Sequence, residues 1–150
     1  MKYSTNIMLI DDNKIDLFIH QRVIEKFDSM AHTMVFSNAI HAITYLEVLD
    51  ATKTNCEKDF PQIIFLDINM PEMNGFQFLN EVKNISAIQR NRPQIYLLSS
   101  STLPEDIKMA NENVLCTNYI NKPLTLEKIT NLLALPRPNR KFLKTLKQLP

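Results

Sequence analysis

The chain has 150 residues, of which 45% are hydrophobic and 22% are charged, and its formal net charge is +1. This length predicts one globular domain that buries about two-thirds of its unfolded surface. The balanced charge argues against binding nucleic acid or a membrane surface through bulk electrostatics, and no apolar run reaches the length of a transmembrane helix.

Glycine and cysteine usage narrows the chemistry further. Gly75 is the single glycine in the sequence, which excludes a glycine-rich phosphate loop of the Walker or Rossmann type. Cys56 and Cys116 lack the spacing of metal ligands and predict thiols in a reducing cytosol. The first six residues lead directly into an apolar run without the pattern of a signal peptide, so we expect a cytoplasmic protein.

Short apolar runs that end in polar turns predict five strands. They cover residues 7–10, 33–36, 63–66, 95–98 and 118–121. The segments between and after these runs show apolar residues at helical spacing, which predicts five helices. Residues 51–61 are polar and predict a loop.

The first two helices have polar start signals. Asn13 can cap the first helix with Asp16 at its third position, and Asn38 can cap the second. Helical spacing predicts a buried face on the first helix formed by Ile15, Phe18, Ile19, Val23 and Phe27. The second helix has a predicted buried stripe of Ala39, Ala42, Ile43, Leu46 and Leu49.

The later helices are shorter. The third opens near Gly75, and its apolar face comprises Phe76, Leu79 and Val82. The fourth follows Thr102-Leu103-Pro104-Glu105, a pattern typical of a capping box with proline in the first turn. The last begins near Leu124, and its apolar residues are Leu126, Ile129, Leu132 and Leu133.

Five strands that alternate with five helices predict an α/β fold. Such a pattern requires a doubly wound parallel sheet with right-handed crossovers and helices on both faces. We expect this domain to span residues 1–135, because Pro136 and Pro138 end the last helix. Residues 136–150 are a short basic amphipathic tail, predicted to be a frayed or locally packed end, with a docking peptide as the alternative.

Acidic, hydroxyl and basic side chains follow four of the predicted strands. They are Asp11 and Asp12 after the first, Asp67 after the third, Ser99 after the fourth and Lys122 after the fifth. Because the C-terminal ends of parallel strands lie on one edge of the sheet, these groups should converge. Each close carboxylate pair costs up to about 4 kcal/mol at an effective dielectric of 20. A divalent cation relieves this repulsion, and the oxygen-rich set suits Mg²⁺.

The same groups predict phosphoryl transfer. Asp67 supplies a nucleophile, Lys122 a point charge for a phosphoryl oxygen, and Ser99 a hydroxyl donor. Catalysis at such a site consists of positioning and charge neutralisation. Each group also has an ordinary structural interpretation as a cap or turn, and it is their joint placement that favours function.

These motifs resemble the receiver domain of two-component response regulators, in particular the stand-alone chemotaxis-regulator type. The matching stretches are residues 7–13, 65–75, 98–100 and 119–124, within a resemblance over about residues 5–135. The resemblance implies a flavodoxin-like strand order 2-1-3-4-5. It also implies a phosphoprotein that accepts a phosphoryl group from the phosphohistidine of a sensor histidine kinase or phosphotransfer protein. Such a protein is not a conventional enzyme, since it promotes only its own phosphorylation and dephosphorylation.

The resemblance implies a metal site and its ligands. Asp67 would be the phosphorylated residue. Asp12, Asp67 and the main-chain carbonyl of Asn69 would bind Mg²⁺, and Asp11 would help through water. No direct contact with nucleic acid is expected, because no output domain follows in this sequence, and the balanced charge and the lack of a long apolar run argue against a membrane.

The resemblance also implies a switch. Lys122 would hold a phosphoryl oxygen, Ser99 would swing toward the phosphate, and Tyr119 would turn inward behind it. The peptide before Pro123 would be cis. The surface of the fourth helix, fifth strand and fifth helix would report the state to an unknown downstream protein.

Two departures and two alternatives accompany this interpretation. Serine stands at position 99 in place of the commoner threonine, and residues 112–117 replace a shorter glycine-containing turn, where Asn113 can adopt a left-handed conformation. One alternative is a receiver-like docking module that acts without phosphorylation. The other is a metal-dependent phosphatase with an aspartyl intermediate. Such phosphatases resemble an Asp-x-Asp pattern, whereas Asn69 occupies the second position here.

Overall fold

The computed structural model describes residues 4–52 and 58–133. The predictions for Cys56 and for residues 136–150 lie outside the described residues. No helix within the described ranges is long and apolar enough to cross a membrane.

Five strands form one parallel sheet. They are β1 (Asn6–Ile10), β2 (His32–Phe36), β3 (Ile63–Asp67), β4 (Gln94–Ser99) and β5 (Cys116–Asn121). Their pairing gives the order β2-β1-β3-β4-β5. The predicted fold class and strand order are therefore confirmed, and each strand is one or two residues longer than its apolar run.

Six helices are present in the described residues. They are α1 (Lys14–Phe27), α2 (Ala39–Thr52), α3 (Gly75–Val82), α4 (Ser86–Asn91), α5 (Pro104–Glu112) and α6 (Leu126–Leu133). The prediction contained five helices and lacked α4. This short helix buries only Ala87 and Ile88, and the Ala87 N–H donates to the Asp50 carboxylate at 2.9 Å. Its support therefore comes from a residue 37 positions earlier in the chain.

The sheet separates two apolar cores. Side chains alternate between the faces of a strand, so Met8 and Ile64 lie in one core, while Leu9 and Phe65 lie in the other. Buried residues of α2, α3, α4 and α5 complete the first core, and those of α1 and α6 complete the second. Every position of β1 and β3 is buried, as expected for strands that have a neighbouring strand on each side.

The predicted buried face of α1 is wrong for three of its five residues. Ile15 is 70% exposed, Phe18 59% and Ile19 42%. The fully buried side chains of this helix are Leu17, His20 and Ile24, and Val23 and Phe27 pack at the margin of the core. Helical spacing alone does not decide which of two overlapping faces of a helix is buried. This helix is rotated so that two of its polar side chains contact the segment after β5.

The stripe of α2 agrees with the structure, while smaller predictions for the later elements are wrong. Leu126 of α6 is 46% exposed and lies outside the core. The Thr102 capping box is absent, because Leu103 precedes α5 without a side-chain cap; Pro104 does lie in the first turn, as predicted. Asn113 has φ of −77° and is extended. Its side-chain oxygen accepts from the Leu115 N–H at 3.0 Å and closes this turn without a left-handed residue.

Candidate functional site

The predicted groups meet at the C-terminal edge of the sheet. One carboxylate oxygen from each of Asp11, Asp12 and Asp67 lies within 4.8 Å of the others. Lys122 follows β5, and its N–H donates to the Ser99 carbonyl at 3.0 Å. The convergence expected from the parallel strand order is therefore present.

The segment after β1 fixes the acidic pair. The Asp11 N–H donates to the Phe36 carbonyl at 3.0 Å, and the Asp11 carboxylate accepts from the Asn13 N–H at 2.9 Å. The Asn13 side chain then caps α1 through the N–H groups of Ile15 and Asp16. As a result the Asp11 side chain is buried, whereas Asp12 is exposed and faces solvent.

The turn after β3 is closely packed against the strand it follows. The Gly75 N–H donates to the Ile68 carbonyl at 2.8 Å. A Cβ at position 75 would lie 2.7 Å from the Asp67 carbonyl oxygen, so this position accepts only glycine. Asn74 and Gln77 form a reciprocal capping box at the start of α3. The single glycine of the sequence is therefore required by the backbone beside Asp67, a role that sequence reasoning missed.

Lys122 contacts three carboxylates. Its Nζ lies 2.7 Å from Asp11, 2.9 Å from Asp16 and 3.3 Å from Asp67. Sequence reasoning placed Asp16 only in the helix cap and missed this contact. One feature of the sequence could have predicted this contact. Asp16 lies four residues after Asp12 at the start of a helix, and helical side chains tilt toward the helix N-terminus, which here lies at the sheet edge.

The site is strongly acidic. Four carboxylates and one ammonium leave a formal charge of −3. Burial, followed by the nearby Asp11 carboxylate, raises the pKa of Asp67 to about 6, although Lys122 opposes the shift. Burial alone would lower the pKa of Lys122, but its interactions with Asp11, Asp16 and Asp67 together outweigh burial and raise that pKa above its usual value.

The acidic pocket suits a divalent cation. Magnesium takes oxygen ligands at about 2.0–2.1 Å and usually retains several waters. Three carboxylates within 4.8 Å of one another match this requirement, and the exposed Asp12 leaves room for water. Asn69 is also exposed, in the turn that follows β3, and the role of its carbonyl as a ligand stays a prediction.

Ser99 and Tyr119 both bind the main chain of Ser101. Ser99 is fully buried, and its hydroxyl oxygen accepts from the Ser101 N–H at 3.0 Å. The half-buried Tyr119 donates its hydroxyl hydrogen to the Ser101 carbonyl. Two side chains on neighbouring strands therefore hold one residue of the loop between β4 and α5. Their predicted movements stay predictions.

Comparison with known proteins identifies the family. The family model described as the response regulator receiver domain matches residues 7–134. The chain belongs to this family. The crystal structure of a two-component response regulator from Cytophaga hutchinsonii is similar to this chain, with a TM-score of 0.76 and 29% identity, and the match covers 89% of this chain and 96% of that one.

The similar proteins differ in how much of their own length this chain covers. It is 28% identical over 134 residues to the two-component response regulator ARR17 of Arabidopsis thaliana, covering 88% of this chain and 84% of that protein. It is also 28% identical over 131 residues to the sensory/regulatory protein RpfC of Xanthomonas campestris pv. campestris. That match covers 87% of this chain but only 16% of RpfC, so this chain spans a small part of that relative. The predicted family is confirmed.

Proposed function

We propose that this receiver domain accepts a phosphoryl group on Asp67 from the phosphohistidine of a sensor histidine kinase or phosphotransfer protein, in a Mg²⁺-dependent reaction. It then signals in the cytoplasm through altered contacts with a downstream protein. The observation that carries the proposal is the position of the Asp67 carboxylate. It is buried at the sheet edge, within 4.8 Å of oxygens of Asp11 and Asp12 and 3.3 Å from the Lys122 ammonium.

The proposed reaction moves one phosphoryl group between two side chains. An oxygen of Asp67 attacks phosphorus, an O–P bond forms, and the N–P bond of the donor breaks. The bonding electron pair stays on the histidine nitrogen, and a proton on the other ring nitrogen makes the leaving group a neutral imidazole. A pKa of about 6 leaves Asp67 ionised at neutral pH, as a nucleophile must be.

Charge neutralisation supports this transfer. Asp12, Asp67 and the Asn69 carbonyl would hold Mg²⁺, with Asp11 acting through water. When bound, the ion neutralises charge on the phosphoryl oxygens. Lys122, whose Nζ lies 3.3 Å from the Asp67 carboxylate, adds a second positive charge and orients one phosphoryl oxygen.

The output is proposed to begin at Ser101. Turning the Ser99 hydroxyl toward a phosphoryl oxygen changes its bond to the Ser101 N–H, and Tyr119 holds the carbonyl of the same residue. The loop that moves leads directly into α5. Exposed apolar side chains in and next to α5 are Leu103, Ile107, Met109 and Val114, and they favour contact with a downstream protein.

A different exposed apolar surface lies where the phosphodonor must approach. We define the α1 patch as Ile15, Phe18 and Ile19, which are 70%, 59% and 42% exposed. It begins three residues after Asp12, which is also exposed, so a protein that delivers a phosphohistidine to Asp67 is expected to come close to it. This position supports the α1 patch as the surface that docks the donor protein.

Phe18→Ala tests the α1 patch. We expect transfer from a phosphohistidine protein to slow about fivefold or more, because a contact residue is lost, while phosphorylation by acetyl phosphate stays unchanged. Val48→Ala removes an apolar side chain that is 54% exposed on α2 and serves as the matched control. Equal slowing with both donors would mean that Phe18 supports the site itself and does not dock a protein.

Phosphorylation itself is tested with acetyl phosphate and Mg²⁺, followed by intact mass spectrometry. Wild type should gain one phosphoryl group that hydroxylamine removes. Asp67→Asn should gain none and keep its fold by circular dichroism, because the amide has the same shape but is not a nucleophile. Asp106→Asn on α5, where the side chain is partly exposed, is the control and should be labelled like wild type.

Two results would contradict the proposal. A hydroxylamine-sensitive phosphate on Asp67→Asn would show that another residue is the acceptor. Absence of labelling in the wild type, with either a small-molecule or a phosphohistidine donor, would favour the docking module that acts without phosphorylation.

A further inference from the structure

Helix α1 directs two polar side chains, one turn apart, at the segment that carries Lys122. Asp16 Oδ2 lies 2.9 Å from Lys122 Nζ, and His20 Nε2 accepts from the Leu124 N–H at 3.2 Å. His20 is 1% exposed, although it lies on a helix whose neighbouring positions offer apolar residues for the core. The two contacts join residues more than 100 positions apart in the chain.

The main chain around Lys122 is held independently of its ammonium group. The Lys122 N–H donates to the Ser99 carbonyl at 3.0 Å, and the Leu124 N–H two residues later donates to His20. Both anchors leave the four-carbon stem of Lys122 as the part that can move. A change at Asp16 therefore acts on the position of the ammonium group and leaves the strand end in place.

The three carboxylates around Lys122 are not equivalent. Asp67 makes the longest contact, at 3.3 Å. A phosphoryl group on Asp67 offers oxygens that compete for Lys122, so another contact must lengthen. The Asp11 side chain is 4% exposed and would be left buried without its cation, a costly state. The Asp16 side chain is 30% exposed and can be rehydrated, which makes it the contact that yields.

We propose that Asp16 is a positioning residue that holds the Lys122 ammonium in the unphosphorylated protein and competes for it with a phosphoryl group on Asp67. This inference rests on the proposed function, in which Lys122 binds a phosphoryl oxygen. Asp16 then opposes the phosphorylated state, and the strength of its ion pair sets how readily the domain is activated.

Beryllofluoride, a stable phosphoryl analogue, gives a binding test that does not depend on turnover. ¹⁹F NMR of the bound fluoride measures the half-saturating beryllofluoride concentration, with Mg²⁺ saturating for each variant. Asp16→Asn keeps the side-chain shape and removes the charge. We expect it to lower this concentration about two- to fivefold, the size of a partly exposed ion pair. Asp16→Ser should act in the same direction.

Glu25→Gln is the matched control, because it removes one exposed carboxylate from the same helix and should leave the concentration unchanged. Repeating the titrations at 0.1 and 1 M NaCl distinguishes an effect of the direct Asp16–Lys122 contact from an effect of long-range repulsion by the Asp16 charge. At 1 M salt the screening length is about 3 Å, so a gain through the Lys122 contact persists, whereas a gain through long-range repulsion disappears.

The outcomes are distinct. Equal or weaker beryllofluoride binding by Asp16→Asn, or a gain that 1 M salt abolishes, overturns the inference and leaves the proposed function intact. Failure of the wild type to bind beryllofluoride overturns the proposed function, and the inference falls with it. Tighter binding at both salt concentrations supports the inference.

Discussion

Two neighbouring segments at the sheet edge are built in different ways. The turn after β3 is supported at several points: Ile68 and Met70 are buried, Gly75 packs on the Asp67 backbone, and the capping box fixes the start of α3. The loop after β4 depends mainly on the side chains of Ser99, Tyr119 and Ser101, and its Leu103 is 58% exposed.

This difference matches the two tasks that the proposed function requires. A nucleophile must keep its position relative to the carboxylates and Lys122, because small displacements at a transfer site are costly. A reporter must change position when one bond is exchanged for another. The buried turn suits the first task, and the loop held by a few exchangeable hydrogen bonds suits the second.

The largest expected effect concerns the more rigid of the two segments, the turn after β3. Gly75→Ala places a methyl group 2.7 Å from the Asp67 carbonyl oxygen, and the neighbouring atoms are backbone that cannot move aside. We expect a loss of about 2–3 kcal/mol in the free energy of unfolding by urea, together with slower labelling by acetyl phosphate. Unchanged stability and labelling would show that the turn is adaptable and would remove the contrast with the loop.

A second prediction concerns the charge of the Asp67 carboxylate, which lies next to the turn after β3. The pKa of Asp67 is raised from 3.8 to about 6, first by burial and then by Asp11. The folded state therefore binds this proton more tightly than the unfolded chain, and the metal-free protein should gain unfolding free energy as pH falls from 7 to 5. The full shift corresponds to up to about 3 kcal/mol, of which part falls within this window.

His20 titrates in the opposite sense and must be separated. Burial lowers its pKa below 6.5, so the unfolded chain binds that proton more readily and stability falls with decreasing pH. Urea melts of wild type and Asp67→Asn in EDTA share the His20 contribution. Their difference should move in favour of wild type as pH falls to 5, and Mg²⁺ should reduce this change by binding the folded state. A pH-independent difference would contradict the raised pKa of Asp67.

Sequence reasoning succeeded where local pattern and parallel topology suffice. Apolar runs located every strand of the described residues, and the parallel order then brought Asp11, Asp67 and Lys122 to one edge. It failed where distant residues decide. The rotation of α1 depends on Lys122 and Leu124, more than 100 residues away. The short α4 depends on Asp50, and the need for Gly75 depends on a backbone contact that composition does not reveal.

The smallest expected effect concerns the adaptable loop. Tyr119→Phe removes the hydroxyl that donates to the Ser101 carbonyl and keeps the ring, which packs against the first core. One hydrogen bond of this kind contributes about 0.5–1.5 kcal/mol, so the loss of unfolding free energy should stay within that range. Labelling of Asp67 by acetyl phosphate should be unchanged, because Tyr119 takes no part in the ion pairs that Lys122 makes with the carboxylates of the site.

NMR decides where the effect of Tyr119→Phe is felt. Amide shifts should change in residues 99–103 and at the start of α5, and stay constant in the turn of residues 67–75, because that turn is held by its own backbone and cap contacts. The control is Tyr45→Phe, which removes a phenol hydroxyl on α2, where the ring centroid lies 5.4 Å from that of Phe36. It should leave the amide shifts of both segments unchanged. Shifts that spread equally into residues 67–75 would mean that the two segments move as one unit, so that nucleophile and reporter share a single support.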